Sequence, residues 1–447
     1  MSRTPSPRTR LVRAGFVDLD RSAEGLARLG EHCDSMLPVL AETADPDLAL
    51  DRLVDLNAAW GEQRPGDRSL LAALADQPET ARRLLHVLGA STALGDHLLR
   101  HPDQWEELAD DTLSSARPTT AALRTTMLEA VGADPGSVTP VADGEHDDLL
   151  ARLRITYRRL VMRLAARDLA HRCAVDDVAA ELSDLASAVL EAALAIARLK
   201  VGEDAALRTR LAVIAMGKCG GHELNYVSDV DVIFVAEPAD GVDDQEALRT
   251  ATQLATHLMR ACSDHTPEGT IWPVDAALRP EGKSGPLVRT LASHRGYYEK
   301  WAKTWEFQAL LKARPVAGDL DLGAAYLEVV APMVWSAAER EGFVTDVQAM
   351  RRRVLDHIPA AQAERQIKLG AGGLRDVEFA VQLLQLVHGR IDETLREPGT
   401  LPTLRALVAG GYVGRGDVVD DASSHRLHLG DEALARAGLP DQGVEHL

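Results

Sequence analysis

Two carboxylates stand two residues apart in Val227-Ser-Asp-Val-Asp-Val-Ile-Phe-Val235. Residues i and i+2 of a strand point to the same side. Asp229 and Asp231 held that way repel each other unless a cation or a proton lies between them. Mg²⁺ takes oxygen ligands and keeps substrate phosphates in its shell, so a phosphate-handling metal site is the chemistry this pair suggests. A bare Asp-x-Asp is equally at home in a solvated turn. The Gly and terminal Glu that a calcium loop carries at fixed spacing are missing. Asp275, within Ile271-Trp-Pro-Val-Asp-Ala-Ala-Leu-Arg-Pro280, is a third acid in a strand-like run. A carboxylate there is costly unless paired or metal-bound, and an ion pair with Arg279 is the plainer reading. On adjacent strands, Asp229, Asp231 and Asp275 would form a three-carboxylate, two-metal site able to move a nucleotidyl group.

The local elements fit that use. Leu211 to Met216 and Val230 to Val235 are apolar runs of strand length. Gly217, Gly220 and Gly221 lie between them, where the backbone must turn tightly and approach a ligand. The Glu-Leu-Asn-Tyr turn that follows would offer free amide N–H groups to a phosphate. Asp243 to Cys262 reads as a crossover helix returning the chain to Asp275.

Further out, residues 1–20 read as a disordered tail and 21–148 as a helical region closing in a loop from Gly132 to Asp148. Two amphipathic helices, Leu149 to Arg172 and Asp177 to Lys200, lead into the strand at Leu211, their arginines forming a solvated face. The stretch from Arg279 to Arg314 holds eight Lys or Arg against three Glu. It also holds five of the seventeen aromatics, which suggests a helix packing Trp against the core beside anion-holding cations. Arg351 to Arg353 read as a solvated face. Ile367 to Phe379 reads as a glycine loop opening a helix that runs through Val387. From Ala422 the chain turns polar and glycine-containing. Residues 422–447 are therefore expected to be an aberrant or disordered tail that leaves the Val381–Val387 stripe partly exposed.

Composition narrows the classes. An apolar content of 46% supports real cores in a chain of 447 residues. The net charge of −19 disfavours general nucleic-acid binding. Cys33, Cys173, Cys219 and Cys262 include no Cys-x-x-Cys and fit a reducing cytoplasm. His257, Cys262 and His265 lack an evident fourth zinc ligand and read as a loop without metal. The polar, basic N-terminus lacks a signal-peptide core, and no run of 18 apolar residues exists for a membrane span.

Gly217-Lys-x-Gly-Gly-x-Glu-Leu-Asn-Tyr-x-Ser-Asp-x-Asp231 resembles the nucleotidyltransferase signature, and more narrowly that of glutamine synthetase adenylyltransferase/adenylyl-removing enzymes. Leu278-Arg-Pro-x-Gly-x-Ser-Gly-x-Leu-Val288, Trp305-Glu-x-Gln-Ala-Leu-x-Lys-Ala-Arg314 and Ile367-Lys-Leu-Gly-Ala-Gly-Gly-Leu-Arg-Asp-Val-Glu-Phe379 resemble further motifs of that family. The similarity runs from about Leu85 to about Gly416. The resemblance implies an α+β fold, with a nucleotidyltransferase-type mixed β-sheet core flanked by helical regions at both ends. Residues 149–335 would be the catalytic domain with its leading helices. Residues 336–421 would be a helical domain shared with PII-uridylyltransferases.

Carried onto this chain, the resemblance makes Asp229, Asp231 and Asp275 the catalytic, metal-holding residues for two Mg²⁺ ions. Gly217, Lys218, Gly220, Gly221, Ser228, Arg279, Lys312 and Arg314 would bind nucleotide and phosphate, with Lys368, Arg375 and Glu378 near the site mouth. The implied partners are glutamine synthetase as substrate, PII signal protein, inorganic phosphate and ADP or ATP, with no nucleic acid or membrane. The chain resembles an N-terminal, adenylyl-removing half cut short at its end. Forward adenylyl transfer from ATP, or a non-catalytic module binding glutamine synthetase or PII, stand as alternatives.

Overall fold

The computed structural model describes the chain apart from residues 1–6, 31–34, 66–68, 115–116, 172, 357–366, 371, 415–417, 422–425 and 430–447. Its residues fall into two compact units. One comprises residues 1–135, 143–185 and 264–271, the other residues 136–142, 186–263 and 272–447.

The first unit is helical. Local signals set its helix starts: Asp45 accepts from the amide of Leu48 with Pro46 next in line, and Ser91 accepts from the amide of Leu94. Leu40, Leu53, Leu56, Leu84, Leu85, Leu98 and Met162 form its core. Trp60 meets Trp105 edge to face there, at 5.7 Å between centroids. The expected N-terminal tail is ordered where it is described. Pro7–Arg13 is helical, and Leu19–Leu29 follows. Leu11 and Phe16 are buried in the core and anchor the otherwise basic segment. The helix His146–His171 groups with this unit and not with the sheet. Its arginines are not simply a solvated face. Arg154 is buried and donates to the carbonyls of Leu150, Asp264 and Gly269, and Arg167 is paired internally with Glu181.

The second unit is built on a five-stranded mixed sheet. Its strands are β1 (Thr209–Ala215), β2 (Val230–Pro238), β3 (Val274–Asp275), β4 (Val288–Arg289) and β5 (Arg314–Gly318). The order is β3-β2-β1-β5, with β4 also pairing with β2. β1 is antiparallel to β2 and β5, while β3 and β4 run parallel to β2. β1 and β2 are central and nearly all buried, which accounts for their unbroken apolar runs. Pro315 is confined to the edge strand β5, next to a register shift in β1. The helix Asp244–Ser263 packs against β1 and β2. Ala212, Ile214, Ile233 and Val235 pack with Tyr298, Phe307, Leu322 and Tyr326. Phe307 is buried but Trp301 is 74% exposed, so that tryptophan does not serve the core.

Two expectations for the C-terminal helical part are corrected. Arg351 is buried and paired with Asp376, and donates to the carbonyls of Leu369 and Gly370. The apolar stripe on the helix Leu374–His388 is largely covered. Val381 and Leu384 pack with Leu395, Leu404, Leu407 and Val413, leaving Val387 exposed. The cover therefore comes from residues before 422. β6 (Val418–Asp421) and β7 (Arg426–Leu429) pair as an antiparallel hairpin, so four residues of the expected tail form a strand. The rest of the 422–447 expectation lies outside the described residues. Among the described residues no helix is long and apolar enough to cross a membrane.

Candidate active site

The acids meet at one end of the β2–β3 pair. Asp229 precedes β2, Asp231 is its second residue, and Asp231 lies opposite Asp275 in the parallel register. One carboxylate oxygen from each of Asp229, Asp231 and Asp275 lies within 4.8 Å of the others. Main-chain bonds fix the corner: the Met216 amide donates to the Asp231 carbonyl at 2.9 Å, and the Val230 amide to the Pro273 carbonyl at 3.0 Å. Asp275 accepts from the amide of Ala277 at 2.7 Å. Burial, then Asp229 and Asp275, push the pKa of Asp231 up to about 6 against the opposing pull of Lys218 and Lys368. An all-oxygen cluster whose mutual repulsion is this poorly relieved fits a hard divalent cation such as Mg²⁺.

The glycine turn fits tightly against this corner. Gly217 has φ +51°, and a Cβ there would lie 2.6 Å from Oδ2 of Asp231. A Cβ on Gly220 would lie 1.8 Å from the carbonyl oxygen of Lys312. The turn therefore uses its glycines for close approach to the protein's own groups. Lys218 donates to Asn225 at 3.0 Å, leaving donor capacity on its ammonium group. Burial and then Lys368 lower its pKa, against the pull of Asp229, Glu378 and Asp231. Lys218 and Lys368 are thus cations in the field of Asp231. Ser228 is half-buried between exposed neighbours, next to Asp229.

Three other cations expected at the phosphate have different work. Lys312 is 3% exposed and donates to Glu223 and Glu378, both at 2.6 Å, and to Thr400 at 3.3 Å. Burial would strip its charge, but Glu378 and Glu223 overcome this and hold its pKa above the ordinary value. Burial likewise opposes ionisation of Glu378, and Lys312 reverses the sign and lowers its pKa. Arg314 donates to the carbonyls of Cys219 and Gly220 at 2.8 and 3.2 Å, and to Ser187. Arg279 donates to the carbonyls of Ala276, Lys283 and Gly285, and its charge is in reach of Asp275. These side chains brace the turn and the loop after β3. A guanidinium engaged by carbonyls has fewer of its five N–H donors left for a phosphate. Arg375 lies over the Phe379 ring at 5.5 Å.

Glu223 is a positioning residue that the motif contained without revealing its use. Besides holding Lys312, it accepts from the amide and hydroxyl of Thr400, 177 residues away. Its place between glycines and the acidic strand was a signal, but only the fold supplies its partners.

A family profile described as glutamate-ammonia ligase adenylyltransferase matches residues 81–329, and one described as GlnD PII-uridylyltransferase matches residues 346–430. The chain is 55% identical over 430 residues to a bifunctional glutamine synthetase adenylyltransferase/adenylyl-removing enzyme of Streptomyces avermitilis, covering 95% of this chain and 41% of the relative. It is 53% identical over 432 residues to the protein of that name from Streptomyces coelicolor, with the same coverage. With the one from Cutibacterium acnes it shares 48% identity over 438 residues, 96% of this chain and 43% of the relative. The chain thus spans about two fifths of the length of these relatives. With more than half of its residues matched by the first profile, the chain belongs to the glutamate-ammonia ligase adenylyltransferase family.

Proposed function

We propose that this chain removes adenylyl groups from adenylylated glutamine synthetase by phosphorolysis, with Asp229, Asp231 and Asp275 as its catalytic carboxylates. The observation that carries the nucleotidyl chemistry is the convergence of those three oxygens where β2 and β3 pair. The substrate follows from the names of the relatives, which include adenylyl removal alongside transfer. The direction follows from the resemblance of Ile367 to Phe379 to the adenylyl-removing half. Residues 346–430, matched by the uridylyltransferase profile, are the part we assign to PII signal protein.

The three acids would hold Mg²⁺, two ions in the fullest form of the site. Bound there, divalent cations supply charge neutralisation at the transferring phosphoryl group and a template for in-line attack. Lys218, with Lys368 on the same side of the charge balance, orients the incoming phosphate. The turn at Gly217–Gly221 sets the distance between that lysine and Asp231. An oxygen of inorganic phosphate forms a bond to the α-phosphorus as the bond from phosphorus to the tyrosine oxygen breaks. The products are ADP and the restored tyrosine, whose phenolate takes its proton from solvent. A phenol of pKa about 10 leaves without a dedicated acid. Glu223 and Glu378, each held by Lys312, serve as braces and not as proton donors. Such transfers rest on positioning and charge more than on covalent help from the protein.

The test is product identity. Incubation of the chain with adenylylated glutamine synthetase, Mg²⁺ and phosphate should yield ADP and unmodified substrate. AMP would indicate hydrolysis. Adenylylation of unmodified glutamine synthetase from ATP, with no ADP formed in the first reaction, would assign the site to the forward direction.

A further inference from the structure

A second cluster of metal-binding side chains lies in the helical unit. His97 lies in the last turn of the helix Thr92–Arg100 and His101 caps that helix, with their ring centroids 5.0 Å apart. Glu268, 167 residues further on, reaches the same place from the segment 264–271 of that unit. One donor atom from each of His97, His101 and Glu268 lies within 4.8 Å of the other two. Nε2 of His101 and Oε2 of Glu268 are 3.2 Å apart. Two ligands on a tetrahedral zinc, with metal–ligand bonds of about 2.0–2.1 Å, stand roughly 3.3 Å apart.

His97 carries the argument further than spacing. Its side chain is fully buried. Nε2 is engaged by Oε1 of Gln104 at 2.8 Å, while Nδ1 has no hydrogen-bond partner among the described residues. A Gln carbonyl accepting from Nε2–H fixes the tautomer and leaves the Nδ1 lone pair as an acceptor facing no donor. A zinc-bound imidazole is held in the same way, one ring nitrogen on an outer partner and the other left for the metal. Burial also keeps the ring neutral, its pKa pushed down to about 4.

The scaffold is fixed before any ion arrives. The segment 264–271 is held by Arg154, which donates to the carbonyls of Asp264 and Gly269, and by Arg158, which donates to those of Glu268 and Thr270. Gly269, at φ +79°, leaves room for the Arg158 guanidinium, which a Cβ would meet at 2.7 Å. Thr266 and Gly269 close the loop by a reciprocal main-chain pair. Arg100 donates to Glu268 at 3.3 Å, and its charge and that of Arg158 oppose a dication.

We propose that His97 Nδ1, His101 Nε2 and the Glu268 carboxylate form a zinc site in the helical unit, distinct from the acidic site. Arg100 stays on the carboxylate as an outer brace, and water fills the fourth position. The two nearby guanidiniums place the affinity below that of a cysteine-rich site.

The test uses the full chain, stripped with a chelator and kept in millimolar Mg²⁺ to occupy the acidic cluster. Titration with Zn²⁺ alone should show one equivalent bound and a rise in Tm. Co²⁺ should give the strong visible absorption of a four-coordinate nitrogen-ligated ion. His101→Gln and Glu268→Gln, at side chains 22% and 15% exposed, should abolish both signals while keeping the helical circular dichroism. Gln104→Ala should weaken binding roughly 10–100-fold, as loss of an outer partner does. Asp231→Asn should leave the zinc equivalent unchanged. Absence of the equivalent in the wild-type chain, or its persistence in His101→Gln, would overturn the assignment and leave the cluster as an ion pair.

Discussion

At the scale of the residue, Asp231 decides the electrostatics of the site. Its folded pKa of about 6 is raised from the ordinary 3.8 by burial and by the two neighbouring acids. A raised carboxyl pKa means that folding favours the protonated form. The stability linked to this group is therefore fully present below about pH 4 and is lost as pH rises through about 6. Asp231→Asn should then stabilise the metal-free protein above pH 7, by about 3 kcal/mol, with a matching rise in Tm, and flatten the pH dependence between 4 and 6. Mg²⁺ should stabilise the wild type at neutral pH and have less effect on the variant. A metal-free Asp231→Asn protein that melts like the wild type at both pH 4 and pH 8 would sink this account of the cluster. Lys218→Met tests the phosphate role. It should raise the phosphate concentration needed for half-maximal rate by roughly one to two decades, as expected for a hydrogen bond to a charged partner. An unchanged phosphate dependence would return that role to other cations.

At the scale of the element, the glycine turn packs against Asp231 on β2, and the Lys312 brace ties Glu223 to Glu378 and Thr400. Gly220→Ala would force a Cβ to within 1.8 Å of the Lys312 carbonyl. The backbone must shift to relieve that, so we expect loss of cooperative folding in the sheet unit, read by circular dichroism melts. Lys312→Met would leave Glu223 and Glu378 facing one another without their shared cation. Removing one partner of a buried pair costs about 3–5 kcal/mol, and chemical denaturation should show a loss of that size. Adding Glu378→Gln to it should recover part of the loss; a double variant no more stable than Lys312→Met would contradict the brace.

The strands β1 and β2, the turn between them and the acids were legible in sequence because each has a local signature: apolar runs, glycines, and Asp at i and i+2. The use of Lys312, Arg314 and Arg279 was not legible. A cation in a motif looks the same whether it faces phosphate or a carbonyl. The partners of Lys312 and Arg314, such as Thr400 and Gly220, are far away in the chain, and those of Arg279 are nearby main-chain carbonyls that leave no mark in the sequence. The buried Leu11 and Phe16 were hidden for a related reason, since a polar, basic segment gives no local hint of the core that receives two of its side chains.

At the scale of the whole molecule, the chain joins a helical unit to a sheet unit that carries the three acids, and it spans about two fifths of its relatives' length. The central claim is that this stretch alone holds a site that transfers an adenylyl group to phosphate. The most direct measurement follows ³²P from inorganic phosphate during incubation of the chain with adenylylated glutamine synthetase and Mg²⁺, with Asp231→Asn and a chelator control in parallel. Label should appear in the β-phosphate of ADP with the wild-type chain, and not with Asp231→Asn or after chelation. Labelled ADP formed equally by Asp231→Asn, or an active wild-type chain that releases only unlabelled AMP, would contradict the central claim.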